Sequence, residues 1–128
     1  MQEKDLFEKV EERNPFAGIF SETSETNEFY ITIAGFKNYY NLAPFRIGAS
    51  VLCAKEPDNS FDAEAIRVFL PMIGTVGYVA NSVGTVAGGT MSAGRLYDKV
   101  GKVFAAQVLF IADSKIICKV LPIENDIK

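Results

Sequence analysis

The sequence of 128 residues predicts a mainly β protein: a small OB-like barrel of about six strands with one short helix between strands four and five, plus a short N-terminal helix. Three observations predict it. From residue 29 onward, apolar and polar residues alternate with the two-residue period of strands rather than the 3.6-residue period of helices. The strand-like runs are short and separated by turn residues, and the βαβ rhythm of a parallel sheet is missing. A composition of 48% hydrophobic and 23% charged residues is that of an ordinary globular domain, at a length that supports one core and not two.

Taken in order, residues 3–13 read as a short helix with Leu6, Phe7 and Val10 on one side and Asp5 and Lys9 spaced as an i, i+4 pair. Asn14-Pro15 ends it, and SETSETNE reads as a linker, with Phe16, Ile19 and Phe20 available to dock on the core or on another subunit. The first strand, FYITIAGF, sets Phe29, Ile31 and Ile33 against Tyr30, Thr32 and Ala34, and YYNLAPFRI leads to the second, GASVLCAK. IRVFLP and TVGYVA follow, joined by a turn around Met72-Ile73-Gly74. Asn81 is placed to cap a short helix over SVGTVAG, and a further helical turn is expected from Ser92. KVFAAQVLFIA and SKIICKVLP close the chain through a hairpin turn at Ala112-Asp113-Ser114. The expected layout is an acidic helix and linker over residues 1–28, the barrel over 29–121 and a tail over 122–128.

Composition removes most enzyme chemistries. There is no histidine, and the two cysteines, Cys53 and Cys118, are far apart inside apolar runs, which suits buried thiols in a reducing compartment. His-based triads, His zinc ligands, Cys-x-x-Cys pairs and a phosphate-cradling G-x-x-x-x-G-K-[ST] loop are all missing. The expectation is a protein that is not an enzyme, with no catalytic residues, cofactor or metal. Asp58, Asp62 and Glu64 could hold a hard cation, but their spacing matches no EF-hand pattern, which ranks that role below a loop or binding role. No apolar run reaches the roughly 18 residues of a membrane helix, and MQEKDLFEKVEER is charged where a signal peptide is apolar, so a cytoplasmic protein without a membrane partner is expected.

The net charge of −3 is unevenly spread. Residues 1–28 carry three basic against eight acidic groups, whereas residues 29–121 carry nine basic against six acidic ones. The barrel is therefore mildly basic, which permits a polyanion partner, and the acidic lead-in is expected to temper its binding.

The stretch EPDNSFDAEAIRVFL, residues 56–70, holds more polar chemistry than a turn requires. The segment K-E-P-D-N-S-F-D-A-E-A-I-R-V (Lys55 to Val68), followed by G-T-V-G-Y-V (Gly74 to Val79) and preceded by G-F-K-N-Y-Y (Gly35 to Tyr40), closely resembles the HIRAN domain. The three blocks occur in the family's order. HIRAN domains are modified OB-like barrels, fused to DNA-remodelling helicases or found as short stand-alone bacterial proteins, which this chain resembles. The resemblance implies binding of single-stranded DNA, in some members at the 3′ end, with bases stacked on aromatics and the terminal hydroxyl held by the motif Asp. It places Tyr39 and Tyr40 at the aromatic pair, Phe61 and Asp62 at the aromatic-Asp pair, Tyr78 after the second motif glycine, and Lys37 at the basic position. The sequence departs from the pattern twice: Asn38 separates Lys37 from the pair, and Phe61 stands in place of a common Tyr. Phe110 is a further stacking candidate by proximity alone.

Each position also has a structural reading. Tyr39 and Tyr40 could cap a barrel end, Asp62 could form an Asx-turn with Glu64 or Ala65, Tyr78 could pack, and Arg67 reads as an outward surface charge. Two functional classes thus stand: a single-stranded DNA binding module in DNA repair, with a helicase or repair protein as partner, or a non-catalytic interaction or oligomerisation module, a homo-oligomer included, that keeps the HIRAN fold.

Overall fold

A computed structural model of the protein describes residues 28–122. The expected helix over 3–13, the linker and the tail from residue 123 lie outside the described residues. Six strands form the barrel: β1 (Tyr30–Ala34), β2 (Ser50–Lys55), β3 (Ile66–Leu70), β4 (Gly74–Val79), β5 (Val103–Ile111) and β6 (Ile116–Val120). All pairings are antiparallel, and the ring closes in the order β1-β4-β3-β2-β5-β6. Closure pairs each of these strands on both sides, so none of them is an open edge. The mainly β barrel expected from the sequence is thus the observed fold.

Alternation decides what faces inward. Ile31, Ile33, Val51, Cys53, Ile66 and Val68 are buried on every second position of three strands, and Val76, Ala106, Val108, Ile116 and Cys118 complete the filling. Phe36 and Phe45 meet edge-to-face, with centroids 6.2 Å apart, as the chain passes from β1 to β2. Both cysteines are free and buried, and burial pushes the Cys118 thiol up to about 12 and Cys53 higher still, so both remain protonated core residues.

Thr32 is the buried polar exception. The outer face of β1 is covered by the segment between β4 and β5: the amides of Ala80 and Met91 donate to the carbonyls of Thr32 and Tyr30. Thr32 Oγ1 lies 2.7 Å from Thr90 Oγ1 and accepts from the Ala87 amide at 3.1 Å, which satisfies the hydroxyl. The expected helix over SVGTVAG is not formed. Its two glycines and β-branched residues favour successive turns, held by the Ser82 and Thr85 hydroxyls at 2.9 Å. The one α-helix among the described residues, α1 (Ala93–Leu96), begins at Ser92, whose hydroxyl accepts from the Arg95 amide at 3.2 Å. Asn81 therefore does not cap a helix over SVGTVAG; its side chain serves the site described below.

Both expected tight turns occur. Met72, with φ of 69°, and Gly74, with φ of 96°, reverse the chain between β3 and β4. Asp113 and Ser114 are the loop between β5 and β6, closed by Ala112 and Lys115. One glycine is required by close approach. A Cβ at Gly77 would sit 2.8 Å from Ile33 Cγ2 and 3.1 Å from the Ala34 carbonyl, where β4 closes on β1. Gly77→Ala is therefore expected to destabilise by about 1 to 3 kcal/mol through overpacking, read as a lower urea midpoint.

Candidate functional site

The site is built on the outer surface of β3 and β4 and on the loop between β2 and β3. Tyr78 and Arg67 are direct cross-strand partners, and Ala34 flanks Tyr78 on β1. Inward neighbours on both strands are apolar, so Tyr78 and Arg67 are forced to the outside. The turn after β1, a 3-10 turn over Phe36–Asn38, brings Tyr39 against Tyr78 with ring centroids 6.5 Å apart and planes tilted by 40°. Tyr40 follows, its hydroxyl 3.5 Å from the Ile73 carbonyl. Tyr39 and Tyr40 remain 44% and 52% exposed, so the pair is not part of the packed core, unlike the buried Phe36 and Phe45.

Glu56, just after β2, joins these rings to the polar loop. Its Oε1 accepts from the Tyr78 hydroxyl at 2.8 Å and from Asn59 Nδ2 at 3.0 Å, and its Oε2 lies 3.5 Å from Arg67 Nε. Arg67 also donates to Thr75 Oγ1 at 3.0 Å and stacks over Phe69 at 4.5 Å, so it is a fixed cation rather than a loose surface charge. Burial, then the hydrogen bond and charge of Glu56, push the Tyr78 hydroxyl up to about 12, with nearby Arg67 opposing. The neutral phenol is thus favoured by the fold, and its contribution is complete below the ordinary value of 10 and lost as pH rises toward about 12. A phenolate absorbance titration is expected to show a late component near 12 that vanishes in Tyr78→Phe and moves only partway down in Glu56→Gln, because burial is the larger cause.

The crowded loop is explained by its own bonding. Asn59 Oδ1 accepts from the amides of Phe61 at 2.8 Å and Asp62 at 3.0 Å. Asp62 Oδ1 accepts from the Glu64 amide at 2.9 Å, the Asx-turn expected as its structural role. Its other oxygen, Oδ2, accepts from Asn81 Nδ2 at 2.8 Å, and Asn81 Oδ1 accepts from the Gly94 amide at 2.7 Å. Asn81 thereby ties the loop to the first turn of α1. Phe61 is left 95% exposed on this frame.

The structure therefore brings Tyr39, Tyr78, Phe61 and Asp62 into one bonded surface through Glu56 and Asn59, with Tyr40 at its margin. Lys37 departs from it: within its 3-10 turn it lines a separate cleft with Lys115. Phe110 is exposed on β5, which stands opposite β4 in the six-strand ring. Sequence reasoning passes over Glu56, Asn59 and Asn81. Glu56 and Asn59 stand inside the motif, whereas nothing in the spacing of Asn81 announces its two partners. Asp58, Asp62 and Glu64 do not gather: among the described residues no group of three His, Cys, Asp or Glu side chains is placed to hold a metal.

The fold and site define a closed six-stranded antiparallel barrel that carries aromatic and polar chemistry outside one pair of strands. That is the fold of a HIRAN domain. The crystal structure of the HIRAN domain of human HLTF matches with a TM-score of 0.53 at 17% identity, over 73% of this chain and 72% of that one. A structural-genomics protein from Lactobacillus plantarum, 18% identical, matches over 73% of this chain and 94% of its own with a TM-score of 0.49. No family profile and no curated protein matches the sequence.

Proposed function

We propose that the protein is a non-catalytic nucleic-acid-binding module that takes single-stranded DNA on Tyr39, Tyr40, Phe61 and Tyr78 and meets its 3′ end with Asp62. The observation that carries this reading is Phe61. An aromatic ring left 95% exposed is ordinarily an unfavourable choice, yet here its backbone is fixed by Asn59 on a frame that Asp62 and Asn81 lock. A ring held open on a rigid support is prepared to stack, and stacking supplies about 1 to 3 kcal/mol per base whatever the sequence.

The carboxylates fit the same reading. Asp58, Asp62 and Glu64 would repel an internal phosphate, so the loop suits the end of a strand that carries a hydroxyl donor and no phosphate. Each Asp62 oxygen already accepts one bond and keeps capacity for another. A helicase or repair protein is the partner that such an end-binding module would serve, in the cytoplasm. No helix among the described residues is long and apolar enough to cross a membrane.

The interaction-module reading draws on a different surface, where Ile47, Leu109 and Phe110 are exposed around the β5 bulge. Titration of a short fluorescent single strand and of the same sequence as a blunt duplex, at two salt concentrations, separates the two. Preferential binding of the single strand is expected; binding to neither would move the function to the apolar surface.

A further inference from the structure

We infer that residues 16–20, FAGIF, dock on the outer face of β5 and β6 of the same chain, over Ile47, Leu109 and Phe110. The barrel's ladder builds this face. The Gly48 amide donates to the Val108 carbonyl at 2.7 Å and the Val108 amide to the Ala49 carbonyl at 2.9 Å, which carries the pairing of β2 with β5 back to Ile47 and sets it beside the bulge between Val108 and Phe110. That bulge turns two consecutive apolar residues outward: Leu109 is 39% and Phe110 57% exposed, with Ile47 at 66%. On its other side Phe110 pairs with the half-buried Ile117 of β6. Adjoining apolar side chains left open on one face, unlike single scattered ones, mark a contact surface.

The occupant follows from the point at which the chain reaches the barrel. Glu28 stands over this same side: its Oε2 lies 3.4 Å from Lys119 Nζ, and its Oε1 accepts from the Tyr30 hydroxyl at 3.0 Å. Lys119 pairs with Tyr30 across one edge of β6 and with Gln107 across the other, and Ile117 is the next residue on its face. Lys119 and Phe110 are therefore about 10 Å apart, two residues along one strand and one strand across. Residues 21–27, between Phe20 and Glu28, span up to about 23 Å when extended, enough to reverse and reach the patch. Their Ser, Thr and Asn residues suit the turn this needs.

The chemistry of the two surfaces matches. Phe16, Ile19 and Phe20 fall at i, i+3 and i+4, the spacing that gathers apolar side chains on one side of a helical turn. Residues 14–28 contain Glu22, Glu25 and Glu28 and no basic residue, whereas β5 and β6 contain Lys119 and no carboxylate, and Arg46 flanks Ile47. A segment tethered through so short a stretch is presented to the face at roughly millimolar concentration, so it takes the face ahead of a second copy of the chain. The inference is independent of the nucleic-acid reading, because Phe61, Asp62 and Tyr78 lie on other elements.

The test is hydroxyl-radical labelling of the full chain, read by mass spectrometry at Phe110, with the 95% exposed Phe61 as the reference ring. Wild type is compared with the Phe16→Ser/Ile19→Ser/Phe20→Ser variant, each at two protein concentrations, and thermal melting shows that the variant keeps its barrel. In wild type Phe110 is expected to label about fivefold less than Phe61, as a ring in a buried contact does. In the variant the two rings should come within about twofold, since the barrel alone leaves Phe110 57% and Phe61 95% exposed. Protection in wild type should not change with concentration. Three results would overturn the inference: a Phe110 that labels as freely in wild type as in the variant, protection that survives in the variant, or protection that grows with protein concentration, which would give the face to a second copy.

Discussion

Exchanging Asp62 and Asn81 is expected to leave the protein as stable as wild type, although each single substitution costs about 1 to 2 kcal/mol. Asp62 accepts twice, from the Glu64 amide and from Asn81 Nδ2, and Asn81 accepts once more from Gly94. In Asp62→Asn the new amide has one oxygen for two donors, so either the Glu64 amide or Asn81 Nδ2 faces an NH₂ group. In Asn81→Asp the Gly94 amide is still satisfied, but two carboxylates meet where a 2.8 Å hydrogen bond stood. The Asp62→Asn/Asn81→Asp double variant restores every partner. Its amide, now at position 62, would accept from Glu64 and donate to the carboxylate at position 81, which in turn accepts from Gly94. Urea unfolding of the four proteins should give a coupling energy equal to the two single losses together, about 2 to 4 kcal/mol. Additive losses would mean that the two side chains do not act as a pair.

Removing the Phe61 ring is expected to cost binding and not stability. The ring is 95% exposed, so Phe61→Ala loses almost no buried area, and its amide bond to Asn59 is independent of the side chain. Affinity for a single strand should fall roughly fivefold to a hundredfold, the equivalent of about 1 to 3 kcal/mol for one stacked base. Tyr40→Ala should lower affinity by a similar factor, but its ring is only 52% exposed, so some stability is lost with it. Both losses should be equal for oligonucleotides of different sequence, because every base offers a ring face. Isothermal titration of each variant beside its melting curve checks the separation.

The strands are readable from sequence because a barrel with one packed face imposes strict alternation. Ile31 and Ile33, Val51 and Cys53, and Ile66 and Val68 carry that signal without ambiguity. The signal fails where the face rule fails. The apolar residues of SVGTVAG suggest a helix with a buried face, whereas the segment lies over β1 as turns and buries Thr32. At Val76 a bulge in β4 breaks the period, so that Val76 and Gly77 are both buried. The aromatic and acidic members of the site are legible through the motif, but its wiring is not. Glu56 serves Tyr78, Asn59 and Arg67 at once, and Asn81 reaches Asp62 from 19 positions away. Such bonds depend on which loops the barrel brings together, which no local pattern contains. Lys37 shows the converse: it neighbours the tyrosines in sequence, yet the turn carries it round to Lys115.

The most direct measurement compares affinities for one short single strand ending in a 3′-hydroxyl or a 3′-phosphate, in wild type and in the Asp62→Asn/Asn81→Asp variant. A charge-assisted bond from the terminal hydroxyl to Asp62 is worth about 1.5 to 3 kcal/mol, so wild type should prefer the hydroxyl end by roughly tenfold to a hundredfold. In the exchanged variant the loop keeps its bonds while the carboxylate moves from residue 62 to residue 81, and the preference should shrink toward unity with stability unchanged. Equal affinity of wild type for the two ends, or an undiminished preference in the exchanged variant, would contradict the assignment of Asp62 to the strand terminus.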